Sequence, residues 1–186
     1  MDSRFLNAFL TPGRTYIEGY QLKPFCLKHR IWLLGIGSPL MAEDKPIAVA
    51  DLLIALRICS ESNMDRLTFR DRWVAWRLAL NEQRFKTACQ AFLAHIDWVD
   101  TWPRFWQNKN AESGVDSTPW ALSLLANLIK NGVSYQEALE MPEPRAVWLS
   151  SAFSISAGAK LEFLSPEMEV EIDAFLSAQQ SMKPPA

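Results

Sequence analysis

Between Ser117 and Ala157 the chain carries start and stop signals for three consecutive helices, and this punctuation commits that stretch to an α-helical fold. Thr118 is a natural N-cap and Pro119 a first-turn proline, whose missing N–H would be unsatisfied there anyway. Trp120, Leu124, Leu125 and Leu128 then recur at helical spacing as a buried face. Asn131-Gly132 is a stop, because glycine adopts the left-handed conformation that closes a helix. Ser134 with Glu137 three residues on reads as a capping box for a short second helix, which Met141-Pro142 ends. Pro144 opens a third helix through Arg145, Trp148, Leu149, Ala152 and Phe153 to Gly158.

Upstream the same logic predicts more helix. Pro24 starts a segment with Phe25, Leu27, Ile31, Trp32 and Leu34 inward, stopped at Gly35–Gly37. Residues 47–60 are apolar nearly all round apart from Arg57, the signature of a central buried helix. Thr68 caps a helix with Phe69, Arg72, Trp73, Trp76, Leu78 and Leu80 in its body. Phe85, Ala88, Cys89, Phe92, Leu93, Ile96 and Val99 form a clean helical stripe after it, and Asn81 leaves one helix or two open. Arg66, Arg70, Arg72 and Arg77, interleaved with Asp65 and Asp71, read as a solvated helix face. Residues 160–164 are extended, and Ser165-Pro166 begins a last helix to about 179.

The chain thus divides into an N-terminal arm (1–23), a helical part (24–106), a loop (107–117), a second helical part (118–180) and a tail (181–186). The expected class is all-α: one compact domain of about seven helices, with an extended N-terminal arm and little or no β.

Composition narrows function chiefly by exclusion. A net charge of −2 and scattered Lys and Arg argue against a nucleic-acid footprint. No apolar run reaches the roughly 18–20 residues of a membrane span. The N-terminus lacks a signal-peptide pattern. Three widely spaced cysteines, Cys26, Cys59 and Cys89, are no disulfide framework, and the expected setting is a reducing cytoplasm.

Chemistry is sparse. Cys26-x-x-His29 is half a metal site, and neither Cys59, Cys89 nor His95 supplies the second pair that structural zinc needs, so no metal or cofactor is expected. No Gly-x-Ser-x-Gly elbow or phosphate-binding glycine loop occurs. Glu137, Glu140 and Glu143 read as capping and a solvated helix start. An enzyme or ligand-binding pocket using Cys26, His29 and Cys89 stays open as an alternative. Eight Trp are more than a small helical core normally uses. Trp98, Trp102 and Trp106 are either a core plug or an exposed contact, and Trp is enriched at interface hot spots. The candidate partner-binding residues are Trp102, Trp106, Trp120, Met141, Arg145 and Trp148.

The run from Pro119-Trp120 through Gly132-Val133-Ser134 and Met141-Pro142 to Arg145-Ala146 and Trp148 resembles the C-terminal part of tail assembly chaperones of tailed phages and prophages. The match covers residues 118–149, and Glu143-Pro144 departs from the pattern. The resemblance implies a non-enzymatic helical protein in the bacterial host cytoplasm that binds the tape-measure protein, or tail-tube subunits, during tail assembly. A structural virion component such as a head–tail connector subunit is the close alternative.

Overall fold

The computed structural model describes residues 3–10, 15–42, 45–62, 64–97, 101–103, 105, 119–161, 163–164, 167–168, 170–172 and 174. In chain order the elements are α1 (Ser3–Leu10), β1 (Thr15–Ile17), β2 (Tyr20–Leu22), α2 (Leu27–Gly35), a 3₁₀ turn (Pro39–Met41), α3 (Val49–Cys59), α4 (Phe69–Leu80), α5 (Glu82–Asp97), α6 (Trp120–Lys130), α7 (Tyr135–Glu140) and α8 (Glu143–Ser156). The fold is all-α with one small two-stranded sheet.

The N-terminal segment lies against the helical body, but it is a helix and a hairpin, not extended chain. Eight residues are too few for a stable isolated helix, so α1 owes its form to packing on α8. Phe5 meets the Trp148 ring edge-on at 5.7 Å, and Arg4 Nη2 donates to the Leu164 carbonyl at 2.6 Å. β1 and β2 pair antiparallel, with Tyr16 opposite Gln21. Glu18 and Gly19 both have positive φ, 50° and 81°, the geometry of a two-residue turn that matches strand twist. The hairpin buries Ile17, Tyr20 and Leu22.

Two apolar clusters fill the interior. The first surrounds α3 and takes in the hairpin, Phe25, Leu33, Val74, Leu78 and Phe92. The second joins Leu27 to Ala121, Leu124, Leu125, Leu128, Ala138, Met141 and Ala146. Helix α2 feeds both, through Leu33 and Leu27 respectively. It starts at Leu27, not Pro24, because the preceding backbone is used elsewhere. Lys23 N–H donates to the Cys59 carbonyl at 2.9 Å, and the Phe25 carbonyl accepts from Glu143 N–H at 3.0 Å. Its inward face is Leu27, His29 and Leu33, whereas Ile31, Trp32 and Leu34 face solvent.

Helix α3 is the central buried helix expected. Arg57 is buried with it, 3.7 Å from Asp71 and donating to the Arg66 carbonyl at 2.8 Å. The described part of the 68–99 stretch is two helices, α4 and α5. Asn81 leaves helical geometry and its Oδ1 accepts Arg84 N–H at 2.9 Å, capping α5. Thr68 caps α4 as expected, accepting Asp71 N–H at 3.2 Å.

Downstream, Gly132 has φ +91° and Val133 N–H reaches the Leu128 carbonyl at 3.1 Å, closing α6. Ser134 Oγ accepts Glu137 N–H at 3.2 Å, capping α7. Pro119 is the residue before α6 rather than its first, and Thr118 lies outside the described residues. Phe163 forms an isolated bridge with Phe105. Residues 167–168, 170–172 and 174 are helical; the rest of the expected last helix, the 107–117 loop and the 181–186 tail lie outside the described residues. No helix among the described residues is long and apolar enough to cross a membrane.

Candidate functional site

The six residues expected to meet a partner have different placements. Trp148 is buried: its indole N–H donates to the Thr101 carbonyl at 2.8 Å and its ring stacks on Phe163 at 5.0 Å. Met141 is buried in the second cluster. Arg145 turns to the N-terminal helix, donating to the Phe9 carbonyl at 2.9 Å with its guanidinium 5.2 Å from the Phe9 ring centre. Trp102 and Trp120 are ring neighbours at 6.0 Å. Trp120 is 46% exposed rather than inward, with the Arg30 guanidinium 5.3 Å from its ring centre. Trp106 lies outside the described residues. Trp148 and Arg145 therefore hold α8 and α1 together, and Met141 packs among α2, α6 and α7.

Beyond Trp32 on α2 and Trp120 on α6, an exposed row with two tryptophans lies on α4. Phe69, Trp73, Trp76 and Leu80 are 84%, 44%, 60% and 67% exposed. Their spacing, i, i+4, i+7 and i+11, stacks them along one face of about three turns. The opposite face of the same helix, Asp71, Val74 and Leu78, is the buried one. The larger apolar stripe of α4 thus points outward. Helical α4 has two apolar stripes, and the smaller one, Val74 and Leu78, packs into the cluster around α3.

Charge is arranged around this stripe. Asp71, expected on a solvated face, is buried and serves the interior: the Tyr20 hydroxyl and Thr68 N–H donate to its carboxylate, and Arg57 lies 3.7 Å away. Burial works against the charged form, but these donors hold the Asp71 carboxyl below its ordinary range. Burial pushes the Tyr20 phenol up, and Asp71 adds to it. Arg77 lies 4.0 Å from the Trp73 ring centre and bonds Glu18 at 3.2 Å. Arg70 lies 4.0 Å from the Tyr20 ring centre. A cleft of about 260 Å³ at the start of α4 is lined by Tyr20, Ser62, Arg66, Thr68, Arg70 and Asp71.

A second feature lies inside the fold. Cys26 Sγ is 3.4 Å from His29 Nδ1, and His29 lines a cleft of about 200 Å³ with Trp32, Ile58, Glu61 and Met64. Burial pushes the His29 imidazole down to about 4 and raises the Cys26 thiol. At neutral pH the pair is thiol and neutral imidazole. Cys89 sits on α5 in the first cluster, its thiol also raised by burial, with no hydrogen bond to either residue. Among the described residues no group of three or more His, Cys, Asp or Glu side chains could hold a metal ion. Glu143, expected at a solvated helix start, is buried and receives Arg30 Nε and Nη2 at 2.6 and 2.8 Å. Its carboxyl is pushed up by burial, against the pull of Arg30.

Comparison of the chain with protein-family models, characterised proteins and solved structures gives no match.

Proposed function

We propose that this chain is a non-enzymatic helical protein that binds a protein partner through the solvent-facing stripe of α4. One observation carries the reading: Phe69, Trp73, Trp76 and Leu80 form a contiguous exposed apolar row, bordered by arginines, on a helix already anchored by its other face. Large exposed apolar patches with polar rims mark interaction sites, and Trp and Arg dominate interface energetics. The resemblance of residues 118–149 supports a setting in phage tail assembly in the host cytoplasm, with the tape-measure protein as first partner and the tail-tube protein as second. Residues of that segment such as Met141 and Trp148 then form the scaffold, and α4 the contact.

Co-expression with the tape-measure protein tests this. The wild-type chain should co-purify with it, and Phe69→Ser/Trp76→Ser should not, while keeping its helical circular dichroism. No complex, or a complex indifferent to that double substitution, removes the reading. Mass spectrometry of purified particles separates a chaperone, absent from mature virions, from a structural head–tail component.

The Cys26–His29 contact beside its cleft favours a second reading, a ligand-binding or catalytic helical domain using Cys26, His29 and Cys89. Loss of an activity in Cys26→Ala and His29→Ala variants that keep their fold would favour it.

A further inference from the structure

We infer that the segment seated on α4 is an acidic amphipathic helix of another protein: an apolar stripe of about three turns bordered by carboxylates. The inference rests on the reading of α4 as the docking face and specifies the chemistry of its occupant.

Helical geometry sets the pattern. At about 100° per residue, Arg72 falls on one side of the Phe69–Trp73–Trp76–Leu80 row and Arg77 on the other. Arg66 and Arg70 stand at its N-terminal end, lining the cleft there. The one carboxylate of the helix, Asp71, is turned inward and consumed by Tyr20, Thr68 and Arg57. Arg77 is paired within the chain with Glu18, which Arg84 shares. Arg66, Arg70 and Arg72 form no ion pair among the described residues, although the chain as a whole is acidic at −2. An apolar row with unpaired guanidinium groups along one edge and at its N-terminal end complements a row edged by Asp or Glu, and it repels one edged by Lys or Arg.

The same charges argue against a second copy as the occupant. Two α4 faces packed together would bring the Arg66, Arg70 and Arg72 charges of both copies into one interface. The length of the row fixes the segment: a partner helix must present apolar side chains at i, i+4, i+7 and i+11, or i, i+3, i+7 and i+10, to cover it.

Three synthetic helical peptides of about 18 residues, long enough to hold helix, make the test with the full chain. One has a Leu/Phe stripe edged by Glu, one the same stripe edged by Lys, and one the Glu edges with the stripe replaced by Ser. Calorimetry reads affinity, and backbone amide shifts report whether α4 is engaged. The Glu-edged peptide should bind at least about ten-fold more tightly than the Lys-edged one, with the advantage shrinking as salt rises from about 0.05 to 0.5 M. Arg66→Glu/Arg70→Glu should reverse the order. Because Arg70 also covers Tyr20, Arg72→Glu, which disturbs no such contact, should by itself narrow the gap. Equal binding of both stripe peptides, or an order unchanged by arginine reversal, overturns the inference while leaving α4 as an apolar docking face. Binding of neither, binding of the Ser-stripe peptide alone, or a concentration-dependent dimer that buries α4 overturns the docking reading and this inference with it.

Discussion

Arg30 and Glu143, 113 residues apart in sequence, meet through two hydrogen bonds of 2.6 and 2.8 Å, and the carboxylate is almost wholly buried. The pair clamps α2 to the start of α8 where the two apolar clusters adjoin. Removing one partner strands the other in a desolvated site. Glu143→Ala should therefore lose about 3 kcal/mol in urea unfolding. Glu140→Ala, on the exposed end of α7, should stay within about 0.5 kcal/mol of wild type. Equal effects at the two positions would show that the clamp contributes nothing.

Stability should fall on mild acidification. In the unfolded chain an imidazole binds a proton below about 6.5, whereas folded His29 does so only below about 4. Between those values the unfolded state holds more protons, so stability rises with pH across the window and is lost going down through it. The burial of His29 accounts for about 3 kcal/mol by pH 4, and His95, also pushed down by burial, acts in the same direction. The difference in unfolding free energy between wild type and His29→Gln, followed from pH 7 to 4, isolates the His29 contribution and should shrink as pH falls.

Two tryptophans should separate core from surface. Trp148→Ala removes a buried ring, its stack on Phe163 and its bond to Thr101, and should cost about 3–5 kcal/mol. Trp76→Ala, on the outward row of α4, should change stability by no more than about 0.5 kcal/mol. Thermal or urea unfolding of the two variants checks the ranking.

The buried Asp71 network predicts a graded series. Asp71→Ala leaves Arg57 without its carboxylate and α4 without its reach-back to Thr68 N–H, at about 3 kcal/mol. Tyr20→Phe removes one donor and should cost about 1–2 kcal/mol. A double variant close to Asp71→Ala by itself, rather than the sum, would show the coupling expected of one network.

Gly132 is the turn between α6 and α7. A Cβ there meets nothing within 4 Å, so Gly132→Ala tests backbone conformation without steric contact. At φ +91° the cost should be about 1–2 kcal/mol. Ser134→Ala, next to it, should cost about 1 kcal/mol by removing the cap on Glu137 N–H.

The signals that acted locally were readable in the chain. Thr68, Asn131-Gly132, Ser134 and Met141-Pro142 begin or end helices where their backbone preferences require it, because a cap depends only on residues three or four positions away. The near-continuous apolar run of α3 gave its central position for the same reason: a helix apolar all round has no face to leave in water. These features settle the all-α class.

What lies far apart in sequence was decided by tertiary structure. Periodicity says that Phe69, Trp73, Trp76 and Leu80 share a face, but not which way the face points. Packing against α3 chose Val74 and Leu78 instead and turned the larger row outward. Asp71 and Glu143 read as solvated because charged residues usually are, and partners from distant segments, Tyr20 and Arg57 for Asp71 and Arg30 for Glu143, make their burial tolerable. The eight-residue α1 has too little intrinsic helicity to announce itself, and takes its form from Trp148. A sequence can specify its local turns alone; which faces meet depends on the volume and charge left by every other element.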